Sequence, residues 1–562
     1  LSKLTDEGIT IFEEQFDVDL GQEETIEYVK QGIEQIQNAN TKEKKEYHLF
    51  QLLAFLISSS NEIAQRGDFY EAGGRLYSAA YYLEEYHPKE AMEVYSKAVE
   101  FYDKEFLNRL KEGAAHEAAN IAIRIANIYR DKLHDDSKQM IYVNKAIGLI
   151  QTQIDIMQSL GSPRELGVKY QTLAMLYVRV KQWDKVIQTA KLALDLAKAI
   201  KDYSVIANAY NDISQAYELS GDSKQGQNIL FEAMDYFSKE AEEHESGQDL
   251  LPLSQLYQII KNIYGYLRDP RRFQIYSRKE AAVYIALAKL GMLNNTSNAQ
   301  IASYYRGAAL CYKETDQNDL DAATCFFLAG NYYYESKKYV EAGINFQDAA
   351  AIFERIKNWK KAYELYIKAG ENAARAKNLE GAIENFIRAF EISQYDNLDR
   401  RKVSNLLCKF FVQMGEIQEA AANYFVAGTM QLEAAYYTYL TNRSDQPNIQ
   451  KYLENAMKNY QFVTESKPGT NKKSTIAYSY CILAVIAAYL GKSELTQKIL
   501  NKLTEMNTKL AEQYVILAEA IINSMQQHDP ILFEDEMAKY QKLWENSDEL
   551  QKLYGMIAGE TM

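Results

Sequence analysis

The chain has 562 residues, 47% of them hydrophobic, with 26 Gly and only 7 Pro, which argues against whole-chain disorder and favours long helices with short turns over sheets. Its formal charge of −14 lacks the basic excess of a general nucleic-acid binder, so nucleic acid is not an expected partner. Four cysteines, Cys311, Cys325, Cys408 and Cys481, lack metal-site spacing and read as reduced core thiols of a cytoplasmic protein.

The start, Leu1 to Glu7, is acidic and without an apolar run, so no signal peptide is expected, and the missing initiator Met points to a processed or partial chain. Residues 1–45 form a first group of modest amphipathic helices, such as Glu23 to Ile36, closed by a charged turn at Thr41 to Lys45. From 46 to 300 the pattern is that of tetratricopeptide-like hairpins of roughly 34 residues, partly degenerate. Ala79, Tyr82, Ala91, Tyr95 and Ala98 fill its five small and aromatic positions. Looser copies follow at Ala174, Tyr177, Val186, Ala190, Ala193 and at Ser214, Tyr217, Gly226, Leu230, Ala233. Breaks are expected at Leu133 to Asp136 and at Gly291 to Asn298.

Residues 301–463 repeat most regularly. Ala322, Phe326, Ala329 recurs 20 residues on as Ala342, Phe346, Ala349, then as Ala362, Tyr366, Ala369, then as Ala382, Phe386, Ala389. Small at i, aromatic at i+4 and small at i+7 share one stripe of a helix, so each ring is expected to wedge between neighbouring helices that approach closely at the small residues. Gly330 and Tyr333 complete the hairpin pattern. After a break from Thr464 to Lys473, residues 475–562 read as a C-terminal helical bundle that caps the last apolar face. The fold class is therefore all-α, a right-handed α-solenoid of antiparallel helical hairpins. Its most apolar stretch, Ala477 to Leu490, is shorter than the roughly 20 residues that span a bilayer, which leaves only peripheral membrane contact open.

Asp321 to Phe326 with Ala329 to Tyr333, Ala349 to Phe353, and Asn358 to Ala362 resembles the central repeats of the soluble NSF attachment protein (SNAP) family. Tyr480-Cys481, Leu490 to Lys492, Phe533, Tyr540 and Trp544 follow that family's terminal bundle in order, so the resemblance lies mainly over residues 300–562. It implies an all-helical adaptor in vesicle trafficking that brings a hexameric ATPase to SNARE-type membrane-fusion bundles. Two departures bear on it: the chain ends Gly559 to Met562 without the family's acidic, leucine-containing tail, and Phe12 and Phe16, nearest to its exposed aromatic loop, lie at the helical spacing of packed residues.

No catalytic, cofactor or metal site is expected. His116 to Asn120 begins like a zinc-protease motif but ends in Asn, and Gly221 with Gly226 is followed by Gln227-Asn228 where a phosphate loop needs Lys and Ser or Thr. Asp316, Asn318 and Asp321 lack the glycine of a calcium loop. The candidate partner-binding residues are the lysines Lys337, Lys338, Lys357, Lys360 and Lys361, which could steer an acidic helical bundle. The competing explanation is that such lysines solubilise turns at helix C-termini. The expected function is a non-enzymatic adaptor that grips a protein helix or peptide in a superhelical groove. The alternative is a repeat-built regulatory or structural subunit of a larger complex.

Overall fold

The computed structural model describes residues 28–36 except 34, 42–160, 163–315, 318–466, 471–527 and 541–561. Phe12, Phe16, Phe533 and Tyr540 lie outside them. Among the described residues every regular element is a helix, and the fold is the expected all-α array of antiparallel hairpins.

Its contacts divide it into two compact units, residues 1–243 with 262–269 and residues 244–261 with 270–562. The first unit holds α1 (Lys42–Gln65), α2 (Phe69–Glu84), α3 (Pro88–Lys111), α4 (Ala115–Asp131), α5 (Asp136–Leu160), α6 (Pro163–Arg179), α7 (Trp183–Ala199), α8 (Tyr203–Leu219) and most of α9 (Ser223–Gly247). The helix α10 (Leu250–Tyr266) contributes its first part, up to Lys261, to the second unit. There it is followed by α11 (Pro270–Leu293), α12 (Asn298–Lys313), α13 (Asp319–Glu335), α14 (Tyr339–Arg355), α15 (Trp359–Arg375), α16 (Leu379–Ile392), α17 (Arg400–Ala420) and α18 (Tyr424–Thr441). The unit closes with α19 (Gln446–Thr464), α20 (Lys473–Tyr489), α21 (Ser493–Glu505), α22 (Lys509–Gln527), α23 (Gln541–Glu545) and α24 (Asp548–Thr561). From α13 to α19 each helix packs on the next in sequence, as it does from α1 to α8.

Of the charged run expected to be a turn at Thr41 to Lys45, Lys42 to Lys45 are instead the first turn of α1, so the boundary placed at residue 45 falls inside a helix. Lysine and glutamate are good helix formers, and nothing in that run stops one.

The 20-residue period is a helix of 17 residues plus three turn residues: α13, α14 and α15 are each 17 long, and α16 begins on the same beat. The turns are equally regular. Lys337, Lys357 and Lys377 sit in the left-handed region at φ 59°, 60° and 63°. The next residue's N–H reaches back five residues, Lys338 to the Tyr333 carbonyl (3.0 Å), Asn358 to Phe353 (2.8 Å) and Asn378 to Ala373 (2.9 Å), which ends each helix in a Schellman-type cap. Asn358 and Asn378 then open the next helix by accepting from the Lys361 and Gly381 amides.

All residues of the small–aromatic stripe, Ala322 through Ala389, are buried. A Cβ added at Gly330 would lie 2.7 Å from the Phe346 ring, and one at Gly370 would lie 2.6 Å from the Phe386 ring. The rings therefore sit in notches that a methyl group would fill. The same device recurs in the first unit, where a Cβ on Gly73 would meet the Tyr102 ring at 3.1 Å.

A second run of the 20-residue beat lies in the first unit. There α6, α7, α8 and α9 begin at residues 163, 183, 203 and 223, with Lys181, Lys201 and Gly221 at positive φ in the turns. The small–aromatic pattern is too degraded there to display it. The turns do: Lys181-Gln182, Lys201-Asp202 and Gly221-Asp222 each pair a left-handed residue with one that opens the next helix.

Candidate partner-binding cleft

The regular beat fails after α16. That helix is 14 residues long, the connection from Ser393 to Asp399 is longer than the three-residue turns, and α17 runs to 21 residues. The connection is held by Trp359 stacked on Tyr395 at 4.3 Å and by the Tyr363 hydroxyl donating to the Asp399 carbonyl at 2.7 Å. Where the longer α17 passes α16, the surface opens into a cleft of about 290 Å3 between α16, α17 and α18.

Its floor is apolar: Phe411 and Met414 from α17 and Ile383 from α16 are buried and continuous with the core of this unit. Ile387 and Met430 form half-buried walls, and Val426 stands at the lip, 41% exposed. Glu380 and Glu384, one helical turn apart on α16, supply all the formal charge in the lining. Both are exposed, and neither makes an ion pair among the described residues. Gln418, at the far end, accepts from the Asn423 amide at 3.0 Å. A second cavity of about 90 Å3 lies between α19, α20 and α21, with Met457 and Leu495 in its wall and Lys498 and Lys502 at its rim.

None of the lysines singled out from the sequence lines the cleft. Lys337 and Lys357 are the left-handed turn residues described above, Lys338 pairs with Glu341 at 3.8 Å, and the Lys361 ammonium lies 5.0 Å from the Phe353 ring centre. All five, with Lys360, are exposed and spread over two turns. Sequence reasoning missed the cleft. Its only local signal is the longer interval between α16 and α18.

The discarded chemical motifs have structural occupations. Asn120 lies 3.4 Å from His116 Nε2, and the Lys169 ammonium lies 2.8 Å from His116 Nδ1, so two other polar groups face this imidazole. A Cβ on Gly226 would meet the Ser214 carbonyl at 2.9 Å, which makes that glycine a packing residue. Asn318 donates to Asp321 at 2.9 Å, while Asp316 lies outside the described residues. Among the described residues no group of His, Cys, Asp and Glu is arranged to hold a metal ion, and no helix is long and apolar enough to cross a membrane. The four thiols are buried, and burial pushes all four up from the usual cysteine range, Cys325 to about 12.

No protein-family model matches the chain, and no curated protein matches it. Among solved structures, apo RapI is 13% identical, over 66% of this chain and 99% of that one, at a TM-score of 0.28. Aspartyl phosphate phosphatase F from Bacillus subtilis is 14% identical over 66% of this chain and 94% of its own, at 0.25. A monomeric IFIT1 mutant with Gppp-AAAA is 12% identical over 80% of this chain and 99% of its own, at 0.20. At such scores the likeness carries no weight, and the assignment to the helical-repeat class rests on the helix pairing, turn geometry and ring-in-notch packing above.

Proposed function

We propose that this chain is a non-enzymatic adaptor that holds a segment of another protein in the cleft of its second unit. The observation that carries the reading is the cleft over the buried apolar floor of Ile383, Phe411 and Met414, with exposed Val426 at its lip, beside an otherwise well-packed array. An open apolar depression of this kind is a common form of docking site. Net charge of −14 supports a protein over a nucleic-acid partner.

Within this reading, an attachment-protein-like role in membrane-fusion disassembly is supported by the residue patterns from Asp321 to Ala362 and, more loosely, from Tyr480 to Trp544. The alternative, a subunit of a larger complex, is favoured by large apolar side chains left exposed in the same unit, among them Leu320 at 55% and Val340 at 58%.

The test is affinity capture from the native cell with the intact chain and with its Val426→Glu variant. The reading expects a protein retained by the parent chain and lost with the variant, since a carboxylate at the lip cannot be buried against an apolar ligand. Equal recovery by both chains would overturn the cleft as the docking site.

A further inference from the structure

The sign and shape of the cleft say what kind of segment it takes. Apolar side chains from two helices form its floor and a third adds an apolar wall and lip, so the occupant presents at least one large apolar residue. Above them, Glu380 and Glu384 form a pair of exposed carboxylates, neither of which makes an ion pair among the described residues. Glu380 belongs to the first turn of α16, where a carboxylate favours the helix N-terminus, but Glu384 lies beyond that turn and has no such role.

The repeat offers a comparison in sequence. Moving back 40 residues along the array maps Glu380 onto Val340 and Glu384 onto Ile344 in α14, which begins on the same beat. Those two are 58% and 46% exposed. The equivalent positions of two like helices thus carry an apolar pair and then an acidic pair, the complement of a segment that is apolar along one stripe and basic beside it. The chain's own residues 1–27 cannot supply that segment, because they hold nine acidic residues and a single lysine.

We propose that the cleft between α16, α17 and α18 seats a cationic amphipathic helix of a partner protein, its apolar face on Ile383, Met414 and Val426 and its Lys or Arg side chains against Glu380 and Glu384. This assignment rests on the docking function proposed above. It also reverses the polarity that the turn lysines imply, since they would draw an acidic partner.

The experiment is a fluorescence-anisotropy titration of the full chain with three labelled peptides. One is an amphipathic helix of Leu and Lys, one its Leu and Glu counterpart, and one the Lys peptide with Ser in place of Leu. Only the first is expected to bind. The double variant Glu380→Lys with Glu384→Lys should weaken it by roughly tenfold or more and reverse the preference toward the Leu–Glu peptide, and the loss should shrink as salt is raised. Val426→Glu should weaken the first peptide comparably. All three positions are exposed, and circular dichroism would verify that the variants keep the helical fold.

If Val426→Glu weakens binding but charge reversal changes nothing, or if both Leu peptides bind alike, the cationic assignment falls while the docking cleft stands. If neither variant affects the Leu–Lys peptide, or none of the peptides binds, the inference is wrong, and the capture experiment decides separately whether any partner uses the cleft.

Discussion

Gly330 and Gly370 show how much one hydrogen-for-methyl exchange decides here. Each faces an aromatic ring that is buried between helices and has nowhere to move. Gly370→Ala should destabilise the second unit by roughly 1–3 kcal/mol, the cost of overpacking, despite the better helix propensity of alanine. Gly343 is the control: its nearest neighbour would be the Ala369 carbonyl oxygen at 3.4 Å, and Gly343→Ala should be neutral or gain up to about 1 kcal/mol. Urea unfolding of the two variants side by side checks the contrast, and equal midpoints would refute it.

Asp212 in α8 makes a second argument at this scale, because burial raises its carboxyl from the ordinary value to about 6. The folded chain therefore keeps a proton that the unfolded chain releases between about pH 4 and pH 6. Stability from this residue is highest at acid pH and falls as pH rises through that window, by an amount on the order of 3 kcal/mol. Asp212→Asn should remove the dependence and protect α8 against hydrogen exchange at pH 7 more than at pH 4. A benefit that is the same at both pH values would show that the carboxylate is already solvated.

Tyrosine, at 44 residues, has an identifiable use. Tyr95 donates to Glu84 at 2.9 Å, Tyr142 to Asp103 at 2.6 Å, Tyr366 to Glu354 at 2.9 Å and Tyr478 to Glu549 at 2.7 Å. The ring fills a helix–helix notch and the hydroxyl reaches a carboxylate toward the surface. The high tyrosine content anticipated such packing, but which carboxylate each hydroxyl meets could not be read from composition.

At the scale of the element, the turns and the last helix carry the energetics. Lys337, Lys357 and Lys377 each hold a left-handed backbone that costs a residue with a Cβ about 1 kcal/mol more than glycine. Replacing any of them by Gly should raise the stability of this unit by up to that amount, read as a higher melting temperature. A lower one would mean that the lysine side chain contributes more than its backbone costs.

Helix α24 docks on α18 and α20 with Leu550, Leu553 and Met556 buried. Beside them Lys552 pairs with the buried Glu433 and, at 2.6 Å, with Asp548, while Glu549 accepts from Thr429 at 3.0 Å and from Tyr478. Burial disfavours the charge on Lys552, but the facing carboxylates outweigh it and raise its pKa. Lys552→Met would leave Glu433 buried without its cation, at a cost of roughly 3–5 kcal/mol. Faster hydrogen exchange in α24 and the facing turns of α18 is the expected signature. Unchanged protection would mean that the apolar residues alone hold the helix.

At the largest scale, stability from α13 to α19 is close to a sum of neighbour contacts, as in any stacked array. The second unit contains one core cluster running from Ala281 to Tyr437 and another from Leu432 to Met556. Loss of packing at Gly370 should therefore loosen α15 to α17 well before α20 to α22, which hydrogen exchange resolves by helix.

The chain by itself determined the helical class and the core of its most regular stretch. Small and aromatic residues at i, i+4 and i+7 are a local code, and their recurrence every 20 residues leaves little freedom in how successive helices meet. The turn lysines were half legible: their place at helix ends follows from the beat, while their left-handed backbone does not. The cleft was decided only by tertiary structure. It arises because a short helix, a long connection and an overlong helix leave side chains far apart in sequence, Glu384 and Val426 among them, around one space that no helix among the described residues fills.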